Sequence, residues 1–122
     1  MLFVGKRRVQ VADDLAPVTT IDTDAECNPA EVELTSAGVD RIWQQVEKLY
    51  RTAVHPGITL VVRRQGKIVI KRAVGCVRGN EPGHPGPQHP LHPDAPQCLF
   101  SASKAVTALL VFKLIDDGKL SL

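Results

Sequence analysis

No apolar run in this chain approaches the roughly 20 residues a helix needs to cross a membrane. The longest, Ala105 to Ile115, is broken by Thr107 and Lys113. The opening MLFVGKRRVQ places its basic residues after a very short apolar stretch, the reverse of a secretion signal, and no small-residue cleavage site follows. Cysteine is scarce and odd in number: Cys27, Cys76 and Cys98 lack metal-type spacing and argue against a secreted disulfide framework. Together these absences predict a cytoplasmic protein with reduced thiols. Aromatics make up only 4% of the residues, so a core must be aliphatic. The net charge of +2 is too small to point to nucleic acid or an anionic membrane as a partner.

What is present has the ordinary balance of a globular protein, 43% hydrophobic and 23% charged, over 122 residues: one small domain or part of a larger one. Residues 1–34 show little periodicity and several acids, and are expected to form a loose leader. From Thr35 a pattern sets in. Val39, Ile42, Trp43, Val46, Leu49 and Tyr50 recur at helical spacing behind Thr35 or Ser36 as cap, and His55-Pro56-Gly57 is expected to stop the helix. Two β-branched runs, Ile58 to Arg64 and Lys67 to Val74, flank Gln65-Gly66 and predict a hairpin with a tight turn. Residues 75–97 carry prolines at 82, 85, 87, 90, 93 and 96, which predicts a long irregular loop.

A second helix is expected from about Ser101 to Asp117, capped by Gly118. It is apolar nearly all round, the mark of a buried helix. The fold class expected is α/β (α+β), an antiparallel sheet flanked by helices. One amphipathic helix and a hairpin cannot cover the second helix on every side. The chain is therefore expected to be the N-terminal part of a larger protein, and aggregation-prone alone.

The polar residues at the head of that apolar helix carry the chemistry. Ser101 and Lys104 stand three residues apart, a spacing that brings two side chains onto one helix face. A serine hydroxyl needs a base to become a nucleophile. The unpaired N–H groups and partial positive charge of a helix start would stabilise an oxyanion at Ser101, and the same field with burial would favour a neutral, basic lysine. The competing reading is structural: Ser101 caps the helix and Lys104 snorkels to solvent. Serine and lysine at this spacing are common by chance.

The wider stretch, FSASKAVTALLV followed by LIDDGKLSL, resembles the nucleophile helix of the serine β-lactamase and penicillin-binding-protein superfamily. More narrowly it resembles the class C branch, which includes esterases of the same fold. Ser101 and Lys104 match the S-x-x-K motif, Thr107 and Ala108 its Thr-Ala step, and Gly118 to Leu122 the G-K-L-x-L exit. The resemblance is detailed over residues 98–122, looser over 36–97, and absent over 1–35. It implies a β-lactamase/transpeptidase-like fold, with Ser101 as the acylated nucleophile, Lys104 as its proton acceptor and the Ser101 N–H as half of an oxyanion hole. The family's Tyr-x-Asn element and Lys- or His-x-Gly strand are not found in these residues; Tyr50, the one tyrosine, is expected in the core. The resemblance thus implies a hydrolase acting on a small-molecule ester or amide, without cofactor or metal, of which this piece is not a working one. Absence of an export signal favours an esterase over a β-lactamase or peptidase. The alternative is a non-catalytic relative used for binding or assembly.

Three other constellations are read as structural. His84, His89, His92 and Cys98 could suggest zinc, but three histidines each precede proline in a loop without paired ligands. Arg63, Arg64, Lys67, Lys71 and Arg72 make the hairpin basic without stacking aromatics, as expected of a solvated hairpin that discourages edge pairing rather than a nucleic-acid surface. Asp116 and Asp117 are read as solvated residues at the helix exit.

Overall fold

The structure, a computed structural model, describes residues 8–83 and 86–121. The amphipathic stretch forms α1, Ser36–Tyr50, whose N-cap Thr35 accepts the Gly38 N–H through its hydroxyl at 3.1 Å. Val39, Trp43 and Tyr50 are buried, while Ile42 and Leu49 on the same predicted face are half exposed. The helix ends well before His55-Pro56-Gly57. Ala53 adopts a left-handed conformation (φ 61°), and the Thr52 hydroxyl and amide both bond the Leu49 carbonyl, so the chain turns away there.

The hairpin comprises β2, Gly57–Arg64, and β3, Lys67–Arg78, paired antiparallel from Gly57↔Gly75 to Arg64↔Lys67. Gln65 and Gly66 both have positive φ (50° and 78°), the conformation a two-residue turn needs to match strand twist. A register shift at Val62/Arg63 marks a bulge. β3 runs beyond the expected Val74 because Gly75 permits it. At φ 103° a Cβ would meet the Pro56 carbonyl oxygen at 2.4 Å and Tyr50 Cε2 at 2.7 Å.

The supposed leader is not loose where it is described. Thr19–Ile21 forms β1, antiparallel to β3 through Thr19↔Val74, Thr20↔Ala73 and Ile21↔Arg72. The sheet order is β1-β3-β2, so β3 is central. Leu15, Val18 and Val32 are buried with α1 and β3 in one core, around Trp43, Tyr50, Ile70 and Val74. Asn28 and Glu31 form a reciprocal capping box at the turn Pro29–Val32.

The basic hairpin is likewise not simply solvated. Arg72 makes a two-bond contact with Glu26, both at 2.8 Å, and lies over the Trp43 ring at 5.8 Å. Lys71 pairs with Asp22 at 2.8 Å and with Asp94 at 2.9 Å. Lys67 pairs with Glu31, and Arg64 with Glu33. The acids of the first segment therefore serve to fasten it to the sheet.

The proline-rich loop is partly a strand. His89–Pro90 forms β4 against the end of β3, with Cys76↔Pro90 and Arg78↔His89 as partners. Proline is tolerated there because β4 is a short edge strand. Leu91 beside it is buried, and its amide bonds the Gly75 carbonyl at 2.9 Å. Asn80, fully buried, donates through Nδ2 to the Pro56 carbonyl at 2.7 Å and to the Tyr50 hydroxyl at 3.3 Å. That contact joins the end of β3 to the end of α1.

The second helix, α2, spans Ser103–Asp116, preceded by a 3₁₀ turn at Phe100–Ala102. It is apolar as expected, but not enclosed: none of its residues is buried. Gly118 closes it at φ 67°, its amide on the Ile115 carbonyl at 2.9 Å. Of the two exit acids, Asp117 is paired with Lys113 one turn back. No helix among the described residues is long and apolar enough to cross a membrane.

Candidate active site

The polar head of α2 is assembled by a compact set of local bonds. Phe100 takes a left-handed backbone conformation at φ 46°. Such a conformation costs a bulky residue energy and is concentrated at functional turns. The Ala102 amide bonds the Leu99 carbonyl at 3.0 Å, and the Ser103 hydroxyl donates to the Phe100 carbonyl at 2.6 Å. Ser101 is thus held in the 3₁₀ turn directly ahead of α2 rather than within the α-helix proper.

The structure brings Ser101 and Lys104 together. Lys104 Nζ donates to Ser101 Oγ at 3.2 Å, within reach for proton transfer between them. The two neighbouring hydroxyls are engaged elsewhere: Ser103 with the Phe100 carbonyl, and Thr107 with the Ser103 carbonyl at 3.2 Å. The capping alternative does not match this geometry. The N-cap positions of the 3₁₀ turn and of α2 are Leu99 and Ala102, neither with a side-chain cap bond, and the Ser101 hydroxyl is paired with lysine instead.

One expectation is corrected. Both Ser101 and Lys104 are exposed, so the desolvation expected to favour a neutral lysine is not supplied by the described residues. The reason is the same one that leaves α2 without buried residues: none of these elements packs over it.

Shifted titratable groups lie on β3 and on the elements packed against it. Burial pushes the Glu26 carboxyl upward, but the Arg72 guanidinium and the Lys71 amide more than offset this and hold it below its ordinary value. Its partner Arg72 is correspondingly raised, by the bonds to Glu26. Burial raises the Tyr50 phenol and the Cys76 thiol. Tyr50 is a core residue, bonded to Asn80.

The remaining candidate residues are dispersed. His84 lies outside the described residues. His89 sits in β4, His92 Nδ1 accepts the Asp94 amide at 3.2 Å, and Cys98 is exposed. Among the described residues, no group of three histidine, cysteine or acidic side chains is placed to hold a metal ion.

Sequence reasoning missed the segment that leads into the nucleophile turn. Asp94 reaches Lys71, and Gln97 Nε2 donates to Thr59 Oγ1 at 3.0 Å. Two open cavities, of about 250 and 270 Å³, adjoin this segment, and Gly57 and Gln97 line both. A large apolar residue among prolines, Leu91, is the one sequence signal that residues 89–97 are anchored, and it is buried.

A serine hydroxyl in hydrogen-bond contact with a lysine amine brings together a nucleophile type and a base type. The β-lactamase family model matches residues 43–122, which is most of the chain, and the protein belongs to that family. No curated protein and no solved structure gave a significant match.

Proposed function

We propose that the protein is a serine hydrolase that works through an acyl-enzyme on Ser101, with Lys104 as general base. The observation that carries this reading is the 3.2 Å contact between Lys104 Nζ and Ser101 Oγ in the turn ahead of α2. Lys104 takes the hydroxyl proton while Oγ attacks the substrate carbonyl. The tetrahedral oxyanion is stabilised by the Ser101 N–H and the field of the helix start. As it collapses, the C–O or C–N bond breaks and the leaving group takes the proton from the Lys104 ammonium. Water then attacks the ester on Ser101 as Lys104 accepts its proton; the C–Oγ bond breaks, the acid leaves, and Lys104 returns the proton to Oγ.

Membership of the β-lactamase family supports the hydrolase class. Within it we favour a carboxylesterase acting on small-molecule esters. The test is turnover of short-chain p-nitrophenyl esters, a β-lactam and a D-alanyl-D-alanine peptide by the full-length protein. Ester turnover abolished by Ser101→Ala, and slowed about 10²- to 10⁴-fold by Lys104→Ala, supports the reading. Preferred turnover of the β-lactam or peptide would overturn the esterase assignment. No turnover of any of them would favour a non-catalytic relative.

A further inference from the structure

The described residues of α2 bury nothing, and the bonds at the nucleophile turn run only among residues 99–107. What ties that turn to the sheet is the segment before it. Residues 89–97 leave the end of β3 and return across the hairpin through successive anchors. β4 pairs with β3, and buried Leu91 has its Cδ2 where a Cβ on Gly57 would come within 2.7 Å. Asp94 pairs with Lys71 at 2.9 Å, and Gln97 bonds Thr59 at 3.0 Å.

The register explains why these anchors are reached by one segment. Thr59 pairs with Ala73 and Val61 with Lys71, so Thr59 and Lys71 project from one face of the sheet. Arg72, adjacent to Lys71, projects from the other face, towards Trp43 of α1. One face is thus covered by α1, and the other is crossed by residues 91–97. Lys71 has a second role there. It holds Asp22, at the end of β1, as well as Asp94, so one ammonium joins the first segment and the crossing segment. Only Cys98 and Leu99 lie between Gln97, bonded to Thr59, and the left-handed Phe100, with Ser101 next.

We propose that residues 89–97 form a strap that sets the placement of the Phe100–Lys104 turn, and that Thr59 and Lys71 are positioning residues for Ser101. Neither is expected to touch substrate. Thr59 fixes the near end of the strap, and Lys71 fixes its middle while neutralising two carboxylates that would otherwise repel one another. The part of this inference that concerns Ser101 reactivity rests on the hydrolase reading above; the part that concerns placement does not.

Two readouts on the full-length protein separate them: amide hydrogen exchange over residues 98–112, and the rate at which a fluorophosphonate labels Ser101. Thr59→Val keeps the side-chain shape and removes the acceptor, whereas Thr59→Ser keeps the acceptor. Lys71→Met removes the charge. Thr59→Val and Lys71→Met should speed exchange at residues 98–104, leave β2–β3 exchange unchanged, and slow labelling about three- to tenfold, the scale of one lost hydrogen bond. Thr59→Ser should behave like the wild type. Unchanged exchange at 98–104 in both variants would overturn the strap, and faster exchange with unchanged labelling would overturn its positioning role. A wild type that exchanges as expected but never labels at Ser101 would overturn the hydrolase reading while leaving the strap intact.

Discussion

The two helices are both rich in apolar residues and have opposite surroundings. In α1 the apolar residues keep to one stripe, and that stripe meets the sheet: Trp43 is 6% and Tyr50 1% exposed. In α2 they occupy every side, and Leu109 is 68% and Phe112 57% exposed. A one-sided helix and a sheet can satisfy each other. A helix apolar all round needs cover in several directions, and neither α1 nor the sheet supplies it. The half that holds the protein together is therefore not the half that carries the candidate chemistry. The turn that joins them is fastened by only a few contacts.

Stability should respond to substitution in the first half and hardly at all in the second. Ile70 is fully buried at the centre of the core, and Ile70→Ala should cost about 3–4 kcal/mol by loss of transfer energy and cavity formation, read from chemical denaturation. Next comes the Glu26–Arg72 pair, whose side chains are 12% and 13% exposed. Arg72→Met leaves the Glu26 carboxylate with the Lys71 amide but without its guanidinium partner. It should cost about 2–3 kcal/mol, somewhat less than breaking a fully enclosed pair.

The same pair gives a pH dependence with a defined sign. Glu26 is held below its ordinary value in the folded state. Its contribution is then complete above the unfolded-state glutamate value and is lost as pH falls through the lower folded value. Thermal stability should decline on acidification through the carboxylate range, and Glu26→Gln should flatten that decline while lowering stability at neutral pH. A decline of equal steepness in Glu26→Gln would assign it to other carboxylates.

At the small end stands α2. The double substitution Leu109→Ser, Phe112→Ser should change the denaturation midpoint by less than the equivalent of about 0.5 kcal/mol, because both side chains are more than half exposed. It should instead reduce self-association, measured by light scattering, since it interrupts an exposed apolar surface. A stability loss comparable to that of Ile70→Ala would show that α2 is packed after all, and the contrast between the halves would fall.

What the sequence made legible follows how local each signal is. The periodicity of Val39 to Tyr50 and the Gln65-Gly66 turn are written within a few residues, and α1 and the hairpin stand where they predict. Ser101 and Lys104 were visible because their spacing is itself local, and the contact between them forms within one turn. By contrast β1 is three residues long and is defined by partners at 72–74, far along the chain, so no pattern within Thr19–Ile21 announces it. β4 was hidden by its proline, which the edge position tolerates. The links from Glu26 to Arg72, Asp94 to Lys71 and Gln97 to Thr59 are long-range polar pairings, and composition only showed the basic half of them as a charged hairpin. Burial around Lys104 was expected from the apolar helix and is not present, because helix composition says what a surface needs and not what covers it.

The central claim is that Ser101, activated by Lys104, is the nucleophile, and its most direct test is the site of covalent modification. The full-length protein would be treated with a fluorophosphonate, digested, and its peptides sequenced by mass spectrometry. The account predicts a single phosphonyl group on Ser101, absent in Ser101→Ala, acquired about 10²-fold or more slowly in Lys104→Ala, and unaffected by Ser103→Ala. Modification of Ser103, or labelling that persists in Ser101→Ala, would contradict it.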